Sequence, residues 1–142
     1  MKILIFGVPK SGKTFFVNAL LSRNMAAVRF VDGDEIKDPD KIYEEACKLE
    51  APNIPVLVDY TCPYDKDRHK YDVTIWMDTL DHSNAVFEIP TKYTERISGW
   101  HYSHKDQLNL IQKKYLPCLE KYQDTEFKID LGYLYLAGID LL

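Results

Sequence analysis

The chain has little of what marks a disulfide-stapled, membrane-spanning or polyanion-binding protein. Its three cysteines, Cys47, Cys62 and Cys118, are odd in number and lack paired spacing, which excludes a disulfide framework and a zinc knuckle. No apolar stretch reaches the ~18 to 20 residues needed to cross a bilayer, so no membrane partner is expected. Basic residues are not in excess: 18 Lys plus Arg against 22 Asp plus Glu leave a net charge of −4. A mildly acidic chain gets no general attraction to DNA, RNA or anionic lipid. Nucleic acid is therefore a disfavoured partner, open only through a local basic patch. Internal repeats and low-complexity segments are also missing. The first residues run directly into an apolar strand, which leaves no room for a removable leader, and the expected compartment is the reducing cytoplasm.

What remains is the composition of an ordinary globular domain, 46% hydrophobic and 28% charged over 142 residues. That length supports one domain, 1–142, with a normal core and no second lobe. Short apolar runs at Ile3–Phe6, Val28–Val31, Val56–Asp59 and Val73–Asp78 read as buried strands. Between them lie helical patterns. Phe15, Phe16, Val17, Ala19, Leu20 and Leu21 cluster at helical spacing, and Asp38-Pro39 looks like a helix start before Ile42, Ala46 and Leu49. Only Pro63 to Lys70 is available to cross between the third and fourth strands, so a turn or two of helix must suffice there. Early alternation of strand and helix predicts an α/β fold: three layers, with a parallel sheet of about five strands flanked by helices. From Asp81 to Trp100 the periodicity dissolves, and such a stretch in a small domain reads as a functional lid. His104 to Tyr122 reads as a long helix that Pro117 should kink, followed by a strand at Phe127–Leu131.

The most informative string is Gly7-Val8-Pro9-Lys10-Ser11-Gly12-Lys13-Thr14, a G-x-x-x-x-G-K-[ST] sequence placed after a strand and before a helix. In that context Gly7 and Gly12 let backbone N–H groups close around an anion, with Pro9, Lys10 and Ser11 forming the rim. The new helix adds its positive end. Lys13 can reach terminal phosphates, and the Thr14 hydroxyl can hold Mg²⁺. The expectation is a nucleoside triphosphate site, with ATP and Mg²⁺ as cofactors, in a P-loop NTPase fold.

In an open parallel sheet, ligands bind beyond the carboxyl ends of the strands. Asp32 and Asp34, Asp59 to Arg68, and Asp78 all fall at such ends. Phosphoryl transfer needs the triphosphate charge neutralised and an acceptor hydroxyl held in line near a carboxylate. Asp34 is the candidate for the hydroxyl, able to orient it and take its proton late, and Asp32 for the magnesium water shell. Asp59 and Asp78 are either members of the site or strand-end turn residues.

These residues resemble a known family, the adenylylsulfate kinases. Asp32-Gly33-Asp34 with Lys37 resembles the DGDxxR element of that family. Cys62-Pro63-Tyr64-Asp65-Lys66-Asp67-Arg68 resembles its SPYxxDR loop, and Phe87-Glu88-Ile89-Pro90 its FExP lid. The chain is most similar to the short, phage-borne members. The resemblance implies an ATP- and Mg²⁺-dependent kinase with a small nucleotide-like acceptor, adenosine 5′-phosphosulfate first among them. It implies that Lys37 and Arg68 hold the acceptor's anionic group, with Tyr64 and Phe87 in its binding loops. Two departures stand out: Cys62 replaces Ser, and Lys37 replaces Arg and so loses a two-pronged anion contact.

Other features carry two readings. Arg96 is either a lid arginine that neutralises charge on a phosphate or half of a surface ion pair. Trp100 either stacks on a base or is a buried aromatic. His101 and His104 lack companion ligands and read as a helix start, and Cys62 as a small packed residue. A nucleoside or modified base in nucleic acid is the alternative acceptor. A nucleotide-binding regulator without turnover is the alternative function.

Overall fold

The computed structural model describes residues 1–24, 28–83, 85–98 and 105–116. Strand β1 (Lys2–Phe6) leads to helix α1 (Lys13–Asn24), β2 (Arg29–Asp32), the single turn α2 (Gly33–Ile36) and α3 (Pro39–Leu49). Then come β3 (Val56–Asp59), the single turn α4 (Asp65–Arg68), β4 (Val73–Asp78), β5 (Glu95–Ser98) and α5 (Lys105–Tyr115). The five strands form one parallel sheet in the order β2-β3-β1-β4-β5.

Every residue of β1 is buried, as expected of a strand covered on both faces. Its side chains alternate between two cores. Ile3 and Ile5 pack with Phe16, Val17 and Leu20 of α1 and with Leu108 and Ile111 of α5. Leu4 and Phe6 point the other way, joining Ile42 and Ala46 of α3 with Val58, Tyr60 and Trp76. The sheet is therefore the middle of three layers. Each fully buried Ile, Leu or Phe of β1 contributes roughly 1.5–3 kcal/mol, which makes this strand the hinge of both cores.

Helix α3 begins where Asp38 and Pro39 suggest. The Asp38 carboxylate accepts from the Asp40 and Lys41 N–H groups at 3.0 and 3.3 Å, and Pro39 takes the first helical position. The crossover from β3 to β4 is as short as its length demands, a single turn of helix.

The stretch expected to be irregular contains one regular element, because Glu95–Ser98 pair with β4 as the fifth strand. Only Ile97 is buried there, while Glu95 meets Lys114 and Tyr115, so the strand has a polar edge character that shows no apolar run. Helix α5 carries Leu108 and Ile111 inward as the periodicity predicts. The Pro117 kink, the 127–131 strand, Trp100, the His101/His104 pair and Cys118 lie outside the described residues. Among the described residues no helix is long and apolar enough to cross a membrane.

The strand order positions a cleft. The chain leaves β1 toward β2, across β3, and leaves β3 toward β4, across β1. With right-handed crossovers these connections take opposite faces, so the carboxyl ends of β1 and β3 open apart at a topological switch point.

Candidate functional site at the carboxyl edge of the sheet

The loop from Gly7 to Gly12 lies directly over the end of β1. Ser11 N–H donates to the Val8 carbonyl at 3.2 Å, and Phe16 N–H to the Gly12 carbonyl at 2.9 Å. Lys10 and Gly12 adopt left-handed φ values of 67° and 93°, which curl the backbone. Gly7 is there for space: a Cβ would lie 2.7 Å from the Met77 carbonyl oxygen and 2.8 Å from Ser11 Oγ. Thr79 Oγ1 donates to the Ser11 carbonyl at 2.7 Å and ties the loop to the end of β4. The Ser11 hydroxyl is buried and has no partner among the described residues.

Lys13 opens α1 and is 5% exposed, with Nζ donating to the Val8 carbonyl at 3.1 Å. Burial lowers its ammonium pKa, opposed by the charges of Asp34 and Asp59. Next to it, Thr14 Oγ1 donates to Asp59 Oδ2 at 2.9 Å. Asp59 ends β3, registered against Ile5 on β1 and Asp32 on β2. Its other oxygen, Oδ1, is buried and has no partner among the described residues. Burial pushes the Asp59 carboxyl up to about 6, with the Thr14 hydrogen bond and Lys13 pulling down and Asp34 and Asp32 pushing further up.

Asp32 and Asp34 take different positions. Asp32 Oδ1 accepts from the N–H groups of Asp34 and Glu35 at 3.1 and 3.3 Å and so caps α2. Asp34 reaches Thr61, whose N–H and Oγ1 both lie 3.4 Å from Asp34 Oδ1. The glycine between them permits this: a Cβ on Gly33 would sit 2.5 Å from Tyr60 Cβ and 2.9 Å from the Asp59 carbonyl oxygen. Asp34 and Lys37 line a cavity of about 620 Å³, walled by Pro9, Tyr60, Thr61, Pro63, Ala85 and Val86. Lys37 ends α2 in the left-handed region at φ 70°, its N–H bonded to the Gly33 carbonyl at 2.8 Å.

Arg68 is placed differently from the expected anion contact. It is 0% exposed, with Nε donating to the Cys62 carbonyl at 2.8 Å and Nη2 to the carbonyls of Pro63 and Glu88 at 3.1 and 2.8 Å. Nη1 pairs with Asp65 Oδ1 at 3.3 Å. The guanidinium carbon lies 4.6 Å from the ring centres of both Phe6 and Phe87, which pack against it. Arg68 and Phe87 therefore build the cleft wall instead of facing the cavity. The charge is satisfied internally because a buried guanidinium needs partners for its fork of donors. Tyr64 is 44% exposed just before α4. Arg96 pairs with Asp78 and lies over the Trp76 ring, 5.2 Å from its centre. Of its two readings, the ion pair is the one present here.

The fold thus brings Lys13, Thr14, Asp34 and Lys37 to one cleft with Asp59, whose role local sequence leaves undecided. The signal for Asp59 is its strand: β3 lies directly beside β1 and so presents its last residue to the first turn of α1.

No protein-family model matches this sequence, and no curated protein is significantly similar to it. Among solved structures the chain is similar to the crystal structure of APE1195, with a TM-score of 0.60 at 14% sequence identity, covering 81% of this chain and 96% of that one. That likeness is one of fold: an α/β architecture with a five-stranded parallel sheet flanked by helices.

Proposed function

We propose that the 7–14 loop binds the polyphosphate of ATP, in a fold of the P-loop NTPase kind, and that the chain transfers the terminal phosphoryl group to a hydroxyl of a small acceptor in the adjoining cavity. The observation that carries this reading is the Thr14–Asp59 hydrogen bond at 2.9 Å, set at the start of α1 beside a buried carboxylate oxygen that has no partner among the described residues. Oxygen donors of this kind suit Mg²⁺, so Thr14 and Asp59 are the residues that would hold it. Asp32, the sequence-level candidate, has an oxygen engaged in capping α2. Mg²⁺, when bound, supplies charge neutralisation at the phosphate oxygens.

The chain's own groups do the rest. Lys13 exchanges its Val8 carbonyl for a phosphate oxygen, an interaction strengthened by its burial. Asp34 orients the acceptor hydroxyl. The hydroxyl oxygen forms the new bond to the γ-phosphorus while the bond to the β–γ bridging oxygen breaks, its electron pair leaving with ADP. The hydroxyl proton passes to Asp34 late in the step and then to water. The motifs Asp32-Gly33-Asp34, Cys62 to Arg68 and Phe87 to Pro90 support a kinase of the adenylylsulfate kinase type.

Transfer of labelled phosphate from ATP to a panel of hydroxyl acceptors tests the reading. Lys13→Ala is expected to lose ATP binding and transfer together. Asp34→Ala is expected to bind ATP normally and lose transfer. Normal biological activity of Asp34→Ala alongside an inactive Lys13→Ala would instead indicate a nucleotide-binding regulator.

A further inference from the structure

The cavity in front of Asp34 holds less positive charge than its motifs imply. Building on the phosphotransfer reading above, we propose that its acceptor is a hydroxyl compound with a flat apolar body and one anionic group, held by the Lys37 ammonium. Among the described residues lining the cavity, Lys37 is the single cation and Asp34 the single anion, so their formal charges cancel. Lys37 has no ion pair among the described residues, and it caps the turn that carries Asp34, so that both residues line the one cavity.

The second cation that the motifs offer is not recruitable. Releasing Arg68 toward a ligand would strip hydrogen bonds from the carbonyls of Cys62, Pro63 and Glu88 and uncover two aromatic rings. The buried Cys62 acceptor and the guanidinium itself would each carry a desolvation cost, so the cleft wall would open before the arginine reached solvent. Lys10 and Lys13 belong to the loop that takes the triphosphate. A second anionic group on the acceptor, as in a phosphosulfate, would therefore find no further cation among the described residues that line the cavity. The remaining walls, chiefly Pro9, Tyr60, Pro63 and Val86, suit a planar ring packed against aromatic and aliphatic surface.

Calorimetric titration of the full chain, saturated with Mg²⁺ and β,γ-imido-ATP, with adenosine, AMP and adenosine 5′-phosphosulfate tests this. AMP should bind about tenfold tighter than adenosine, the scale of one charge-assisted contact. The phosphosulfate should bind no tighter than AMP. Lys37→Gln should bring AMP to the level of adenosine, and Lys37→Arg should keep the difference. Tenfold tighter binding of the phosphosulfate than of AMP would overturn the proposal, as would equal weakening of adenosine and AMP by Lys37→Gln, or no binding of any of the three. Failure of the phosphotransfer reading shows separately, as acceptor binding without transfer when ATP replaces the analogue.

Discussion

Asp59 sits where folding alone would not put a carboxylate. Its carboxyl rises from 3.8 to about 6 because burial disfavours the charged form. Between those values the folded chain keeps a proton that the unfolded chain has lost, so stability falls as pH rises through this window. Above it the full penalty stands, roughly 3 kcal/mol from the size of the shift. In magnesium-free buffer, Asp59→Asn should flatten this pH dependence and raise stability at pH 8, read from urea unfolding across pH 4 to 8. An unchanged pH profile would show that the carboxylate is not held in this way. Added Mg²⁺ should stabilise the parent chain at pH 8 and not Asp59→Asn. Asp32→Ala supplies the contrast. Losing a helix cap costs about 1 kcal/mol, and the Mg²⁺ response should survive. A lost response in Asp32→Ala would return the metal to that residue.

Elements around the cleft are joined by side chains from distant parts of the sequence. Arg68 of α4 fastens the 85–91 segment to the 62–63 loop, and the Glu88 N–H to Pro63 carbonyl bond at 2.8 Å closes the same seam. Arg68→Ala should therefore destabilise the chain by about 3 kcal/mol or more, since it strips the Arg68 donors from the Cys62 and Glu88 carbonyls, leaves Pro63 only its Glu88 N–H bond, and breaks the Asp65 pair. Arg68→Lys should recover only part, because an ammonium cannot span that fork of acceptors. Denaturant unfolding measures both, and a loss under about 1 kcal/mol for Arg68→Ala would contradict a wall-building role. Cys62, in the same seam, is buried at a left-handed φ of 46°, and burial pushes its thiol up to about 12. Iodoacetamide at pH 8 should label exposed Cys47 and spare Cys62 in the native chain. Labelling of native Cys62 would show that the seam opens readily.

This seam also marks where the sequence stops being legible. Strands β1, β3 and β4 are readable because each is an apolar run buried on both faces, and α3 because Asp38-Pro39 caps it. Strand β5 is not, since one buried residue, Ile97, among charged neighbours carries no period. The Arg68 motif is visible, but whether its guanidinium faces a ligand or the interior depends on Phe6 and Phe87, far away in sequence. For Asp59 the ambiguity is chemical: an aspartate that ends a strand looks the same whether it turns the chain or serves a site. Only its register beside β1 decides its neighbours.

For the whole molecule, the strand order matters more than any single residue. Placing β3 between β2 and β1 sets the 7–12 loop, Asp59 and the α2 turn along one edge of the sheet, with helices packed on both faces of its central strands. The proposed site lies along that edge, where the backbone is not consumed by the cores. Substituting Gly7 with Ala should abolish nucleotide binding while leaving most of the sheet intact, because its Cβ collides with the Met77 carbonyl and the Ser11 hydroxyl at this edge. Calorimetric titration of ATP with Mg²⁺ into the parent chain and into Lys13→Ala tests the proposed anion cradle itself. Saturable one-to-one binding by the parent, weakened at least tenfold by removal of the ammonium, is the expected outcome. No binding at millimolar ATP, or equal affinity in both proteins, would contradict it.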